Sequence, residues 1–371
     1  MKKDSLVTVK VEPTDVENSP LNIFIARQGG IDLNKIYTED CLKTMGRMEK
    51  ETVTLTVTSP PYDGLRKYNG YSFDFEPIAR ELFRVTKDGG VVVWVVGDAI
   101  EKGSETLTSF RQALHFKEVG FNVHDTMLYK KKGMRFPERS RYGQIFEYMF
   151  VFSKGVPKTT HMIKDRLNRW AGYTNWGKNS TRDPDGNLIR ERVKKDGTIV
   201  QLKDCKRYRM WGARTNIWEY ANGFGFGTTD KDSYKHPAMY PELLVRDHIF
   251  SWSNEGDLIY DPFMGSGTTA KVAILMNRNY VGSEVSPEYV GGALKRLAGV
   301  EAQRGSLLTK IAEEDAKRLE EEEEHMKMVE EETRKLAAAG KNKKWQPKQP
   351  DKNEGLDGGV EIIDDPPENE V

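Results

Sequence analysis

Leu258-Ile259-Tyr260-Asp261-Pro262-Phe263-Met264-Gly265-Ser266-Gly267-Thr268-Thr269 is the stretch on which the fold turns. It starts as a short apolar strand after the turn signal Gly256-Asp257. Two glycines then lead into Ala270, Val272, Ala273, Leu275 and Met276, a helical run. A second strand, Tyr280 to Glu284, ends in an acid. Strand, glycine loop, helix and acid-tipped strand make a nucleotide-binding βαβ unit. Glycines let a ligand approach the backbone, the helix N-terminus favours negative charge, and the acid suits ribose hydroxyls. No Gly-Lys-Ser/Thr follows the glycines, which disfavours a phosphate-binding P-loop. A dinucleotide fold stays open on this stretch alone, because the glycine-to-acid spacing is close to what it requires.

Far upstream, Val53, Leu55 and Val57 alternate with Thr52, Thr54, Thr56 and Thr58, which reads as a strand. Ser59-Pro60-Pro61-Tyr62 ends it abruptly, because proline cannot donate to a ladder. The loop offers a hydroxyl (Ser59), a carbonyl of restricted geometry (Pro60) and an aromatic face (Tyr62). Two acceptors and a stacking surface suit gripping a planar amine, whereas the plain alternative is a proline-rich turn. Such a loop has no role in hydride transfer.

The segments between these two alternate strand and helix. A short strand ends at Ile36-Tyr37, and Asp40 is placed to cap a helix carrying Leu42, Met45 and Met48. An amphipathic helix over 74–87 ends at Lys87-Asp88-Gly89-Gly90, and Val91 to Val96 reads as a strand buried on both faces. A helix at 106–119, strands at 122–129 and 145–152, and a helix from Tyr240 to Phe250 follow. Pro287 opens the last helix of this series. The pattern predicts an α/β sheet flanked by helices, with its ligand site at the strands' C-terminal ends.

Residues 154–235 break the alternation. The segment carries a charge of roughly +8 to +10, with Trp170, Tyr173, Trp176, Tyr208, Trp211 and Trp218 interleaved. A basic, aromatic, turn-rich insert reads as a nucleic-acid-contacting module; the plain alternative is a solvated insert with a few core tryptophans. Lys130, Lys131, Lys132 and Arg135 extend the positive region upstream, and Arg207, Arg209 and Arg214 lie within it. These seven are the candidate DNA-binding residues.

The chain's 57 basic and 57 acidic residues cancel overall, so the charge is segregated rather than absent. Cys41 and Cys205, far apart, give neither metal spacing nor a disulfide framework, which fits a reducing cytoplasm. No apolar run reaches membrane-spanning length. The expected organisation is an N-terminal extension (1–33), a catalytic half (34–153), a basic target-recognition insert (154–235) and a cofactor-binding half (236–302). A charged helix (303–340) and a disordered tail (341–371) complete it. The acidic helix has three readings: it offsets the basic insert, binds a partner or is simply a solvated surface.

Together the two stretches resemble the β-class DNA amino-methyltransferases, over roughly residues 35–300. Asp261 to Thr269 is similar to that family's S-adenosyl-L-methionine loop, and Ser59 to Tyr62 to its catalytic tetrapeptide. Their order, with catalytic loop, recognition region and cofactor loop in turn, is also that of the class. The resemblance implies a Rossmann-like methyltransferase fold with a mostly parallel seven-stranded sheet and an inserted recognition region. It implies catalytic roles for Ser59, Pro60, Pro61 and Tyr62. For the cofactor it implies Asp261, Phe263, Gly265 and Gly267 bordering the methionine end, Pro262, Ser266 and Thr268 as further cofactor-binding residues of that loop, Glu284 at the ribose and Asp40 near the adenine. Lys235-His236-Pro237-Ala238 resembles the loop that folds over the cofactor. Plainer roles stay open: Asp40 capping its helix, His236 supporting its loop, Phe263 packing.

The implied reaction is transfer of a methyl group to the exocyclic N4 amine of cytosine in flipped-out duplex DNA. Ser59, rather than an aspartate, favours cytosine-N4 over the adenine-N6 alternative. A catalytically inactive DNA-binding relative and an RNA methyltransferase are further alternatives. Double-stranded DNA is the expected partner; a homodimer and a cognate restriction enzyme are others that the class brings into view. No metal and no membrane are implied.

Overall fold

The structure, a computed structural model, describes residues 26–61, 73–132, 140–168, 171–172, 181–182, 188–189, 208–221 and 240–338. Among them, eight strands form the central sheet. In chain order they are β1 (Lys35–Tyr37), β2 (Val53–Thr58), β3 (Thr86–Val96), β4 (Asn122–Lys132), β5 (Phe146–Ser153), β6 (Ile217–Ala221), β7 (Leu258–Asp261) and β8 (Asn279–Ser283). Their lateral order is β6-β4-β5-β3-β2-β7-β8-β1. Neighbours run parallel except where β5 is inserted antiparallel between β3 and β4.

The helices are α1 (Cys41–Arg47), α2 (Phe75–Val85), α3 (Thr108–Val119), α4 (Glu242–Trp252), α5 (Thr268–Leu275), α6 (Pro287–Leu297) and α7 (Ser306–Ala338). Strand β3 shows why they form two layers. Val91, Val93 and Val95 face a core built with α4, α5 and α6, while Val92, Trp94 and Val96 face one built with α1, α2 and α3. All six are essentially buried. At about 1.5–3 kcal/mol for each fully buried large apolar side chain, this strand alone makes the three-layer packing strongly favourable.

Two features differ from the sequence expectation. Helix α2 stops at Val85, with Thr86 as its C-cap, and not at the glycine pair. Gly89, at φ +77°, bonds through its amide to the Lys154 carbonyl, so the glycines serve the edge of β3 beside β5. The sheet has eight strands rather than seven, because Ile217–Ala221, inside the expected insert, pairs with β4. Its alternation explains this: Trp218 and Tyr220 are buried while Ile217 and Glu219 are exposed.

The chain divides into two compact units, residues 1–166 with 213–317, and residues 167–212 with 318–371. The first holds the sheet. In the second, the Arg209 guanidinium and the Met210 amide donate to Glu322, and Trp211 Nε1 donates to the Arg318 carbonyl. No helix among the described residues is long and apolar enough to cross a membrane. Residues 1–25 and the tail 341–371 lie outside the described residues.

Candidate active site

The chain leaves β2 toward β3 on one side, while it leaves β7 toward β8 on the other. The strand order therefore reverses between β2 and β7, and a ligand crevice belongs at their C-terminal ends. Ser59, Pro60 and Pro61 follow β2 there; Pro262 to Gly267 follow β7. The two tips touch: Thr58 Oγ1 donates to Asp261 Oδ1 at 2.6 Å. Pro60 is buried, and Ser59 and Pro61 are half-buried.

The glycine loop is built on positive φ angles, +51° at Gly265 and +80° at Gly267. Gly267 is the N-cap of α5, and a Cβ there would also stand 3.0 Å from the Ala293 Cβ. Only glycine takes this turn without strain. From the neighbouring strand, Glu284 reaches back to the loop. Its Oε2 accepts from the Gly265 amide and its Oε1 from the Ser286 amide, each at 2.9 Å. Burial pushes the Glu284 carboxyl above the usual range, and the two amides pull against that shift. Behind the loop, Arg296 of α6 donates to the Ser266 carbonyl and to Thr268 Oγ1, and it pairs with Glu242 at 2.6 Å.

Asp261 lies at the centre. Oδ1 accepts from Thr58 Oγ1 and the Phe263 amide; Oδ2 accepts from Thr269 Oγ1 at 2.6 Å and the Tyr240 hydroxyl at 3.1 Å. The Tyr240 and Thr269 hydroxyls also lie against each other, each spending its one proton on Asp261. Burial holds this carboxyl above the usual carboxylate range despite four opposing donors.

The remaining site candidates separate by position. Asp40 caps α1, accepting from the Leu42 amide at 2.7 Å. Phe263 packs edge-on against Phe73 and Trp94, with centroids 5.6 and 6.1 Å away. Lys130, Lys131 and Lys132 end β4 on the same edge of the sheet as Ser59. Lys130 pairs with Glu219 and Lys131 with Glu147, while Lys132 is exposed. Arg209 pairs with Glu322. Arg214, expected at DNA, is instead half-buried and clasps Asp165 and Asp247, so it is not a free basic contact. Tyr62, Arg135, Arg207 and His236 lie outside the described residues. Cys41 is buried, and burial pushes its thiol up to about 12, which leaves it inert as a nucleophile.

A family model for the N6/N4 type of DNA methylase matches residues 53–295, a span that holds both strand tips. The chain belongs to the DNA amino-methyltransferase family. This methyltransferase is 56% identical over 246 residues to the orphan methyltransferase M.BamHII of Bacillus amyloliquefaciens, covering 66% of this chain and 89% of that one. It is 26% identical over 279 residues to the type II methyltransferase M.BglII of Bacillus subtilis, covering 72% and 69%. Among solved structures, PvuII DNA methyltransferase (cytosine-N4-specific) is 20% identical and matches 72% of this chain and 91% of its own, with a TM-score of 0.49. The methyl donor of this methyltransferase family is S-adenosylmethionine.

Thr58, Tyr240 and Arg296, and Thr269 at the end of the glycine stretch, hold the two strand tips and the glycine loop without having been assigned a role of their own from the sequence. Thr58 immediately precedes the tetrapeptide, and Thr269 closes the glycine stretch, so adjacency was a usable signal for both. Tyr240 and Arg296 carry no local signal, because their partners lie 21 to 54 residues away.

Proposed function

We propose that this methyltransferase acts on the exocyclic N4 amine of cytosine in duplex DNA, on a base turned out of the helix. The adjacency of the β2 and β7 tips, through Thr58 and Asp261, supports methyl transfer in one crevice, and Ser59 in place of an aspartate supports cytosine as the base. That adjacency lets one crevice take both a methyl donor and an acceptor amine.

The residues present fit the donor. Gly265 and Gly267 lack side chains where a ligand would meet the backbone. The two amide bonds to Glu284 use two of the roughly four acceptor positions of a carboxylate, and a ribose diol would take others. Glu284 would hold the ribose, Asp40 would lie near the adenine, and Phe263 with residues 265–268 would line the methionine end. S-adenosylmethionine supplies an electrophilic methyl group on a sulfonium sulfur.

The chain's own part is to present the amine. Extruding a base costs a few kcal/mol, and Tyr62 would recover part of it by stacking. The Ser59 hydroxyl and the Pro60 carbonyl would accept the two amino hydrogens. That draws the nitrogen lone pair out of ring conjugation and aims it across the crevice. Lys132, exposed at the end of β4, extends the same edge with positive charge suited to phosphates, and Lys130 and Lys131 would have to exchange Glu219 and Glu147 for a phosphate to join it. Arg135, Arg207 and Arg209 are proposed as further DNA contacts. A cytoplasmic location and action as a site-specific DNA modifier complete the proposal.

Nucleoside mass spectrometry of unmethylated genomic DNA treated with this protein and S-adenosylmethionine tests it. N4-methylcytosine is expected. N6-methyladenine as the only product would assign the other base, and no methylated amine would overturn the reading.

A further inference from the structure

Asp261 is 1% exposed, and all four of its donors belong to its own chain. With two donors on each oxygen, the acceptor positions of the carboxylate are filled. It has none left for a ligand's ammonium or for a base. What it gathers are four pieces of chain: Thr58, the residue before Ser59; Phe263, on the glycine loop; Thr269, in the first turn of α5; and Tyr240, at the entry to α4.

The backbone shows why such a gathering point matters. The pairing of β2 with β7 runs through Leu55 with Ile259 and Thr56 with Tyr260. Beyond it, Val57 and Thr58 pair with Val93 and Trp94 of β3, on the other side. The tips of β2 and β7 are therefore joined by side chains. Thr58 Oγ1 to Asp261 Oδ1 is the link between them, and the Thr269 hydroxyl, 3.4 Å from the Val57 carbonyl, spends its proton on the shorter bond to Asp261.

We infer that Asp261 is a positioning residue rather than a cofactor ligand, and that Thr58 and Tyr240 are the arms through which it sets the catalytic loop against the glycine loop. The inference rests on the reading of residues 59–62 as the loop that grips the amine. A misplacement of about 1 Å between donor and acceptor can cost on the order of a hundredfold in rate. Thr58 thus acts on alignment for transfer, and cofactor affinity is left to the glycine loop and Glu284.

Thr58→Val keeps the shape and removes the hydroxyl; Thr58→Ser keeps the hydroxyl and removes the methyl. The readouts are calorimetric binding of S-adenosylmethionine and single-turnover transfer of labelled methyl to unmethylated genomic DNA. Thr58→Val is expected to transfer roughly 10- to 100-fold more slowly, with cofactor affinity within about threefold of wild type. Thr58→Ser is expected to recover to within about threefold of the wild-type rate. Tyr240→Phe should show the same split more weakly, and the double variant should lose less than the product of the two single losses, because both act through one carboxylate. If Thr58→Val does not fold, Tyr240→Phe carries the test on the same two readouts. Wild-type rate in Thr58→Val, equal slowing in Thr58→Val and Thr58→Ser, or affinity lost in step with rate would each overturn the inference. A wild-type protein that transfers no methyl group would instead overturn the functional reading beneath it, and that result is seen before any variant is made.

Discussion

Glu284, just past the end of β8, and Gly265, on the loop after β7, are joined by a hydrogen bond of 2.9 Å from the glycine amide to the carboxylate. The acid and the glycine turn are therefore one preformed piece, with Ser286 bracing the other carboxylate oxygen. Glu284→Gln keeps the size but removes the charge and turns an amide nitrogen toward one of the two backbone donors. S-adenosylmethionine affinity should fall roughly 10- to 100-fold, as for a lost charge-assisted hydrogen bond. Titration calorimetry of the variant checks this.

Arg214 should matter for stability rather than for DNA. Its guanidinium meets Asp165 and, at 2.6 Å, Asp247, whose side chain is only 4% exposed. Arg214→Ala leaves Asp247 with Arg246 as its one cationic partner, beside the Tyr220 hydroxyl. Removing one partner of a buried pair costs more than the pair contributes, so a loss of about 2–4 kcal/mol is expected in denaturant unfolding. The salt dependence of DNA binding should stay as in wild type, because this guanidinium is already held by two carboxylates.

How much of this was legible beforehand depended on how local the cause was. Strands β2 and β7 stand where alternation and turn signals put them, because a strand's pattern is its own. The glycine turn and the Glu284 tip were likewise readable from spacing. The Thr58–Asp261 link was not, since 203 residues separate the partners. Arg214 misled for a different reason. Composition counts a charge without showing its partner, and Asp247 lies 33 residues away on α4. The Trp218 and Tyr220 alternation next to it was a strand signal hidden inside a segment judged by its charge.

Acid should destabilise this protein through His248. The ring is fully buried, stacked on Trp218 with centroids 4.6 Å apart, and its Nδ1 accepts from Trp252 Nε1. Burial pulls it down to about 3, against an opposing pull from Asp247. Folded, the ring stays neutral; unfolded, it takes up a proton below about 6.5. The unfolded chain thus binds more protons between about pH 6.5 and 3, and stability falls by up to about 1.4 kcal/mol for each pH unit lost in that window. Unfolding free energies of wild type and His248→Gln from pH 7 to pH 5 should diverge in slope, with the wild type steeper.

The most direct test of two strand tips acting as one site is Ser59→Ala, followed by equilibrium S-adenosylmethionine binding and single-turnover methyl transfer to DNA. Binding should stay within about threefold of wild type while transfer slows by roughly a hundredfold or more, as for the loss of an acceptor used in the transition state. Cofactor binding abolished together with transfer, or transfer at the wild-type rate, would contradict the division of labour between the β2 and β7 tips.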